Sequence, residues 1–457
     1  MKRNMYIIFG LIIVVLISGC VPKEAVEDSD QAAQGSNAEI QEPVQQVEDK
    51  TTSPPQGMGQ LCYGEEQCIS FCQNNRGQCE EYCRVNENEL CKIIFPPNEF
   101  EEPSQQQSQG TSKSQEGCSG KGPVQFTSPP MRIEDIEFIE PIGLMIGGHV
   151  TPIDHGYYYS KNWKPSEGRE DPSKFKDVFA PADGVIRELG AMPQKFSSSS
   201  IGDYRLIIYH SCTFYTIYIH VNQLSPKLQA VVDGRTREQV FVKARELLGR
   251  SPGFDFSVHD EEVILPGFIV PEHYERESWK IHTVDMFAYF VEPIKSQLLE
   301  KNVRQKEPRG GKIDYDIEGR LIGNWFLEGT NGYAGGGHLA FAYDGLDPSL
   351  IIVSIGDFKG GGEQFAVKGN SPDPADVSIS SGLVKYGLAG VGYRTENEQI
   401  WDRVSFAKIS KGFGYDRVSG VALVQLIENR KIKFEAFPGK TASQVNGFTE
   451  KAKIYER

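Results

Sequence analysis

The chain has 457 residues, 39% of them hydrophobic, and a formal net charge of −14. A length of this order predicts two or three domains. The acidic balance argues against a nucleic-acid partner, because phosphate groups would be repelled. Beyond the first twenty residues, the sequence contains no apolar run long enough to span a membrane.

The N-terminus has the pattern of a lipoprotein export signal. A positively charged start precedes an uncharged run, residues 5–19, which is short for a bilayer of about 30 Å but suits a signal peptide. The run ends in ISGC, which resembles a lipobox. We expect residues 1–19 to be a removed signal and Cys20 to be lipidated, so that the chain is anchored on the extracytoplasmic face of the membrane. The alternative, an uncleaved signal anchor, also exports the chain.

Two low-complexity segments flank a cysteine-rich module. Residues 20–58 are too polar to bury a core and are predicted to form a disordered tether. Residues 59–97 contain two C-x3-C pairs, and cysteines four apart share one face of a helix. Export favours disulfides over zinc thiolates, so we predict a small disulfide-stapled helical hairpin, with a metal site as the alternative. The cysteines of this module are Cys62, Cys68, Cys72, Cys79, Cys83 and Cys91.

After a second linker, residues 98–122, two large mainly β domains are predicted, 123–300 and 301–457. Cys118 and Cys212 remain outside the six-cysteine module. Their even number and the oxidising location predict that they form a disulfide with each other.

Domain 123–300 contains strand and turn patterns. DVFAPADGVI predicts two strands joined at a tight Asp-Gly turn. Residues 204–209 and 214–221 are apolar, β-branched and aromatic, and they flank HSCT as the two strands of a hairpin. His210 and His259 are expected at the surface of such hairpins.

Three segments of this domain resemble, in order, the core of the lysostaphin-type (LytM) zinc metallopeptidases. They are DVFAPADGVIRELG, DYRLIIYHSCTFYTIYIHVNQLS and ELLGRSPGFDFSVHD. The resemblance covers residues 147–260, about a quarter of the chain. It implies the duplicated hybrid motif fold, a single zinc ion as cofactor and peptidoglycan cross-bridge peptides as substrates.

The resemblance also implies site residues. The family holds zinc with the His and Asp of an HxxxD-type motif and the second His of an HxH motif. His149 and Asp154 match the first pair with one residue too many between them, and His155 is a substitute donor. Aligning FDFSVHD with the family's HLHFEVRD places Asp255 at the ligand His. His220 in YIHV matches the catalytic His of the family's YAHLS segment.

The HxH motif is where the sequence departs from the family. The same alignment places Gly253 at the first His, which stabilises charge in the family; losing such a group typically costs about two to three orders of magnitude in rate. A rival alignment uses residues 280–282 (KIH) as an altered HxH. The histidines at 149 and 155 also have a purely structural interpretation, as donors to backbone carbonyls. A structural role is also open for His220, which lies next to a β-branched and aromatic strand.

Domain 301–457 shows the two-residue alternation of strands, as in IKFEAF, between glycine-rich turns. An antiparallel β-barrel or sandwich is predicted. GNW, residues 323–325, resembles the GxW signature of lipocalins, whose Trp plugs one end of the barrel. An ordinary core tryptophan is the alternative.

Three functions remain open from the sequence. The missing HxH favours a catalytically impaired LytM-like domain that binds an envelope polymer or regulates a protein partner. The second is an active zinc endopeptidase that cuts wall peptides, and the third is a structural envelope protein.

Overall fold

The computed structural model describes residues 117–164, 169–192, 201–234, 239–330 and 332–457. The predictions for Cys20, the tether and the six-cysteine hairpin lie outside the described residues. Both predicted β domains belong to one compact unit, Thr111–Arg457. No helix within the described ranges is long and apolar enough to cross a membrane.

The N-terminal part of this unit is built mainly from short antiparallel strands. The apolar and aromatic runs at 204–209 and 214–221 coincide with β5 and β6, the predicted hairpin. The strands are β1 Ile136–Glu140, β2 Gly156–Ser160, β3 Lys176–Phe179, β4 Gly184–Ala191, β5 Tyr204–Tyr209, β6 Phe214–Val221, β7 Gln223–Leu224, β8 Val240–Val242, β9 Leu247–Ser251, β10 Gly253–Asp260 and β11 Thr283–Val284; the helices are α1 Pro226–Val232 and α2 Ile294–Lys301.

These strands form a large and a small sheet. The large sheet has the order β1-β2-β10-β6-β5-β4-β8, with β11 pairing with β10, and the small sheet has the order β3-β9-β7. The predicted Asp-Gly turn carries the chain from β3 in the small sheet to β4 in the large one. A Cβ on Gly184 would lie 2.8 Å from the carbonyl oxygen of Tyr209, so the close approach of these strands requires glycine.

β10 lies between β2 and β6 and is buried along its whole length. Side chains alternate between the faces of a strand. Phe254, Phe256 and Val258 therefore enter the main hydrophobic core, while Asp255 and its alternate neighbours face the opposite side. That second face carries the polar groups of the domain.

The C-terminal part is a closed antiparallel barrel, which confirms the barrel alternative of the sequence prediction. Its strands follow one another in chain order, and β12 pairs with β19 to close it. They are β12 Gly323–Leu327, β13 Leu339–Tyr343, β14 Ile351–Phe358, β15 Gly361–Val367, β16 Leu383–Thr395, β17 Ile409–Glu428, β18 Lys431–Pro438 and β19 Lys453–Glu456.

Trp325, the tryptophan of GNW, is fully buried in the barrel core. Its indole Nε1 donates to the carbonyl oxygen of Leu321 at 2.8 Å. The guanidinium of Arg457 lies 3.9 Å from the ring centroid, a cation–π distance. Arg457 is itself held by Asp316 at 3.2 Å, so the tryptophan joins the core to a buried ion pair.

Cys118 and Cys212 form a disulfide, as predicted. Cys212 lies in the turn between β5 and β6, where its backbone N–H also donates to Gly120 at 3.0 Å. The first described residues are therefore fastened to the edge of a hairpin of the large sheet.

The sheet and the barrel share a polar and aromatic interface. Glu140 on β1 is buried and accepts from Arg403 of the barrel at 2.7 Å and from the hydroxyl of Tyr159 at 3.0 Å. Trp401 packs edge-on against Phe138, with ring centroids 5.5 Å apart. The barrel loop between β16 and β17 thus covers one edge of the large sheet.

We predict that Trp325→Ala destabilises the protein by about 3–5 kcal/mol, because it removes a large core side chain and leaves a cavity. Urea unfolding followed by circular dichroism measures the loss. Tyr415→Ala is the control, since Tyr415 is 44% exposed, and we expect a change within about 0.5 kcal/mol. Equal effects of the two substitutions would contradict a structural role for Trp325.

Candidate functional site

The polar face of the large sheet brings three sequence-predicted residues together. Asp255 on β10 is in register with Tyr157 on β2 and Ile219 on β6. His155 stands immediately before β2 and His220 immediately after Ile219. Strand pairing therefore places both imidazoles beside the Asp255 carboxylate.

Both imidazoles point their Nε2 atoms at the same carboxylate oxygen. The distances to Asp255 Oδ2 are 3.5 Å from His155 and 3.6 Å from His220. The opposite nitrogen of each ring faces another carboxylate: Asp154 at 3.2 Å for His155, and Asp203 at 2.9 Å for His220. We call these five residues the His–Asp cluster.

His220 reaches the cluster because the backbone of β6 is irregular there. Its φ is +70°, a left-handed conformation that is uncommon for residues other than glycine and often marks functional sites. The pairing of β5 with β6 shifts register in the same place. Ser251 on β9 donates to the carbonyl oxygen of His220 at 2.8 Å, which holds this conformation.

Asp154 is held by two residues outside the cluster, Trp279 and Lys280, on the side of His155 that faces away from Asp255. Its carboxylate accepts from the Trp279 indole at 2.8 Å and lies 3.4 Å from the Lys280 ammonium. Burial by itself would raise the pKa of Asp154, but Lys280 and the hydrogen bond from His155 outweigh it and hold that pKa well below its usual range. Asp154 is a charged, fixed partner for His155.

The electrostatics of His155 follow from its two acidic neighbours. Burial disfavours the protonated ring, but Asp255 and Asp154 outweigh that effect and raise the pKa of His155. The ring is thus suited to donate from both nitrogens when it is protonated.

His149 lies next to the cluster. Its ring centroid is 5.5 Å from that of His155, and the residue as a whole is exposed. Its pKa is lowered to about 4, because surrounding protein atoms desolvate the ring and because His155 lies close. A neutral imidazole at this exposed position has one nitrogen that donates a hydrogen bond and one that accepts one.

Two buried polar atoms of the cluster lack a hydrogen-bond partner among the described residues. They are Nε2 of His155 and Oδ1 of Asp255. Buried polar groups are nearly always hydrogen-bonded in native proteins. The two atoms therefore need a partner that the described residues do not supply, such as a ligand group, a water molecule or an ion.

The position that the resemblance assigns to the first His of HxH is filled by other groups. A Cβ on Gly253 would lie 2.8 Å from a ring carbon of Trp163. Arg169 donates to the carbonyl oxygen of Gly253 and lies 5.4 Å from the Trp163 ring centroid. Burial lowers the pKa of Arg169, while the charges of Asp255 and Asp203 oppose that effect. The hydrogen bond to Gly253, two residues before Asp255, holds the guanidinium against the strand that carries Asp255.

The cluster also has features that suit a metal ion. A tetrahedral zinc site with bonds of about 2.0 Å has ligand–ligand distances of about 3.3 Å, close to the two Nε2–Oδ2 distances. Orienting carboxylates on the opposite ring nitrogens are typical of metal-binding histidines. Within the described ranges, however, no group of three or more His, Cys, Asp or Glu side chains forms a complete ligand set.

The structure thus gathers His149, His155, His220, Asp154 and Asp255 in one region. In this structure the Asp154 carboxylate bonds the His155 ring. The predicted metal set of His149, Asp154 and Asp255 stays a prediction. The two polar residues of the rival KIH segment point to different places. The Lys280 ammonium lies 3.4 Å from Asp154, whereas Nδ1 of His282 donates to the carbonyl oxygen of Val263 at 2.6 Å.

The sequence reasoning missed Asp203, Trp163, Arg169 and Trp279. Asp203 stands 17 residues before His220, and strand pairing rather than local spacing joins them. Trp163 and Arg169 come from a loop and Trp279 from the 3-10 helical segment Pro271–His282, and no motif marks them. Asp203, immediately before β5, lies inside a segment that carries the resemblance but has no assigned role there.

In comparisons with protein-family models, curated proteins and solved structures, no match was found.

His259 lies beside the cluster, and its predicted surface position was wrong. It is 0% exposed because the period of β10 turns it to the same covered face as Asp255. Its Nδ1 donates to the carbonyl oxygen of Trp279 at 2.9 Å, and its Nε2 accepts from the Ser257 hydroxyl at 2.7 Å. Burial lowers its pKa to about 4.

We predict that His259 makes the protein acid-sensitive. Between the unfolded pKa of about 6.5 and the folded pKa, the unfolded chain binds a proton that the folded chain does not. The contribution is therefore complete above that unfolded value and is lost as the pH falls, by up to about 1.4 kcal/mol per pH unit. Urea unfolding at a series of pH values between neutral and acidic measures the slope.

The control is His259→Gln, whose amide can keep both hydrogen bonds but does not titrate. We expect the stability difference between the two proteins to change as the pH falls, with the variant losing less. Parallel curves over the whole range would contradict a neutral buried His259.

Proposed function

We propose that this chain is a lipid-anchored, extracytoplasmic envelope protein whose LytM-like domain binds an envelope ligand without cleaving it. The anchor rests on the export signal ending at Cys20. The binding site rests on the His–Asp cluster. The ligand is either an envelope polymer or a protein partner, and the polymer is the one that the resemblance favours.

The observation that carries this proposal is the substitution at Gly253. The family's chemistry needs an imidazole there to stabilise the developing negative charge, and glycine has no side chain to do so. Trp163 packs within van der Waals contact of the space that such a side chain needs. A site with this change keeps a recognition surface but loses an essential part of the catalytic machinery.

The charges of the cluster have partners within the chain. Lys280 lies 3.4 Å from Asp154, and Arg169, which donates to the carbonyl oxygen of Gly253 on the same strand as Asp255, acts on Asp255 and Asp203 through its charge. Buried carboxylates need such compensation. In lysostaphin-type peptidases a zinc ion compensates the negative charge of the site. Here Lys280 and Arg169 supply that positive charge.

The unpartnered atoms indicate the chemistry of the ligand. Asp255 Oδ1 accepts a hydrogen bond, and protonated His155 donates one from Nε2. An amide group offers the matching N–H and C=O. The cluster therefore suits a peptide segment, such as the peptide part of a wall polymer.

We predict that the intact chain co-sediments with purified peptidoglycan sacculi and that Asp255→Asn weakens binding about tenfold, because an ionised acceptor is replaced by a neutral amide. Asp416→Asn is the matched control, since Asp416 is a fully exposed carboxylate of the barrel. It should bind like the parent protein. No soluble fragments should be released from the sacculi.

Two results would overturn the proposal. Release of fragments that His220→Ala abolishes would establish the active endopeptidase. Equal binding by Asp255→Asn and the parent protein, or no binding to sacculi or to envelopes of the source cell, would leave the structural envelope protein.

A second candidate is a zinc site formed by His155, His220 and Asp255. The observation in its favour is the pair of carboxylate-oriented imidazoles that converge on Asp255 Oδ2. A bound zinc ion supplies Lewis acidity and lowers the pKa of a bound water. The chain's own contribution is to fix the two rings and the carboxylate.

We predict that the purified chain holds only substoichiometric zinc, because Lys280 and Arg169 already compensate the carboxylates. Elemental analysis after dialysis measures the content. One zinc ion per chain that is lost in His155→Gln but retained in His149→Gln would establish the second candidate instead. His149 is the matched control because it is close to the cluster but exposed.

A further inference from the structure

A glycine-rich loop of the barrel contacts the rear of the His–Asp cluster. The loop lies between β12 and β13, and its Tyr333 leaves the barrel to pack against the segment Pro271–His282, which precedes β11. The Tyr333 ring stacks on Tyr274, with centroids 5.8 Å apart, and on His338 at 5.2 Å. Aromatic contacts on two sides fix its position.

Lys280 connects this tyrosine to the cluster. It is 2% exposed, and its ammonium lies 5.0 Å from the Tyr333 ring centroid and 3.4 Å from Asp154 Oδ1. Burial opposes its charge, but Asp154, Tyr333 and Glu277 outweigh that effect and raise the pKa of Lys280. The lysine is therefore charged and has partners from both halves of the unit.

Asp154 links Lys280 to the His155 ring. One oxygen accepts from Trp279 and the other faces both Lys280 and Nδ1 of His155. With both oxygens occupied, the carboxylate plane is fixed. The His155 ring is then held with Nδ1 toward Asp154 and Nε2 toward Asp255.

We infer that the barrel completes the binding site: Tyr333, Lys280 and Asp154 form a positioning network that fixes the orientation of the His155 ring. The network acts on a ligand-contacting group, so its role rests on the proposed function. Through this network the C-terminal barrel contributes to recognition, because Tyr333 contacts Lys280 rather than the ligand.

Stability alone does not account for the buried pair of Lys280 and Asp154. Replacing a buried ion pair by apolar or neutral groups of similar volume is often neutral or stabilising, whereas removing one partner is costly. The pair has a specific geometric effect here, since the carboxylate also binds the His155 ring.

The test is the ring ¹H–¹⁵N spectrum of His155 in the intact chain at neutral pH, assigned by its loss in His155→Gln. The variant is the double substitution Asp154→Leu with Lys280→Met, which removes the acceptor of the His155 ring together with both charges and so avoids an unpaired buried charge. We expect the parent protein to show a hydrogen-bonded Nδ1–H signal and the folded double variant to lose it. An unchanged signal would overturn the network.

The barrel's part is tested by Tyr333→Leu against Tyr415→Leu, a matched substitution on an exposed tyrosine of β17. We expect the first to shift or broaden the His155 ring signal and the second to leave it unchanged. Identical spectra for Tyr333→Leu and the parent would show that the barrel does not position His155.

Sedimentation with sacculi separates this inference from the proposed function. We expect the double variant to bind about tenfold more weakly than the parent protein, and equal binding would overturn the functional role of the network. If the parent protein itself does not bind, the proposed function fails, and the spectra alone decide whether Asp154 and Lys280 orient His155.

Discussion

A carboxylate on a central, fully covered strand is the constraint around which the N-terminal half of the unit is arranged. Asp255 lies on β10, and the neighbouring strands and loops bury it. A charge in that position needs partners, since an uncompensated one is strongly destabilising. The His155 and His220 rings lie within 3.6 Å of it, Arg169 bonds the backbone of the same strand at Gly253, and Asp154 and Asp203 in turn fix the two rings.

Two loops of the barrel contact the N-terminal half of the unit close to this polar face. Its loop between β16 and β17 brings Arg403 to the buried Glu140 on β1, and its loop between β12 and β13 brings Tyr333 to Lys280. Both contacts lie next to residues of the polar face. The predicted division into domains 123–300 and 301–457 therefore separates two β structures that share one polar interface.

Local patterns predicted the features that depend on neighbouring residues. The hairpin of β5 and β6, the Asp-Gly turn at Gly184 and the barrel strand β18, which contains IKFEAF, follow from two-residue alternation and turn chemistry. The pairing of Cys118 with Cys212 followed from counting cysteines. The LytM-type identity and the metal set stay predictions, because they rest on motif resemblance.

Features that depend on tertiary register were beyond the sequence. Asp203 meets His220 across β5 and β6 only through a local irregularity of the backbone, and Lys280 reaches Asp154 from a segment more than a hundred residues away. His259 was placed at the surface as a hairpin residue. Its burial depends on β6 and β11 pairing with β10 at that position, which no local pattern reveals.

The disulfide between Cys118 and Cys212 has a mechanical consequence. If the chain is tethered through Cys20, a pull along the tether reaches the folded unit at Cys118 and passes through the covalent bridge directly into the β5–β6 hairpin. The 94-residue separation of the two cysteines means that the intervening strands, including β2 and β4, carry none of that load along the backbone. Asp154, His155 and Asp203 lie inside the bridged segment and are spared that load, whereas His220 on β6 follows the bridge and lies on the strand that receives it.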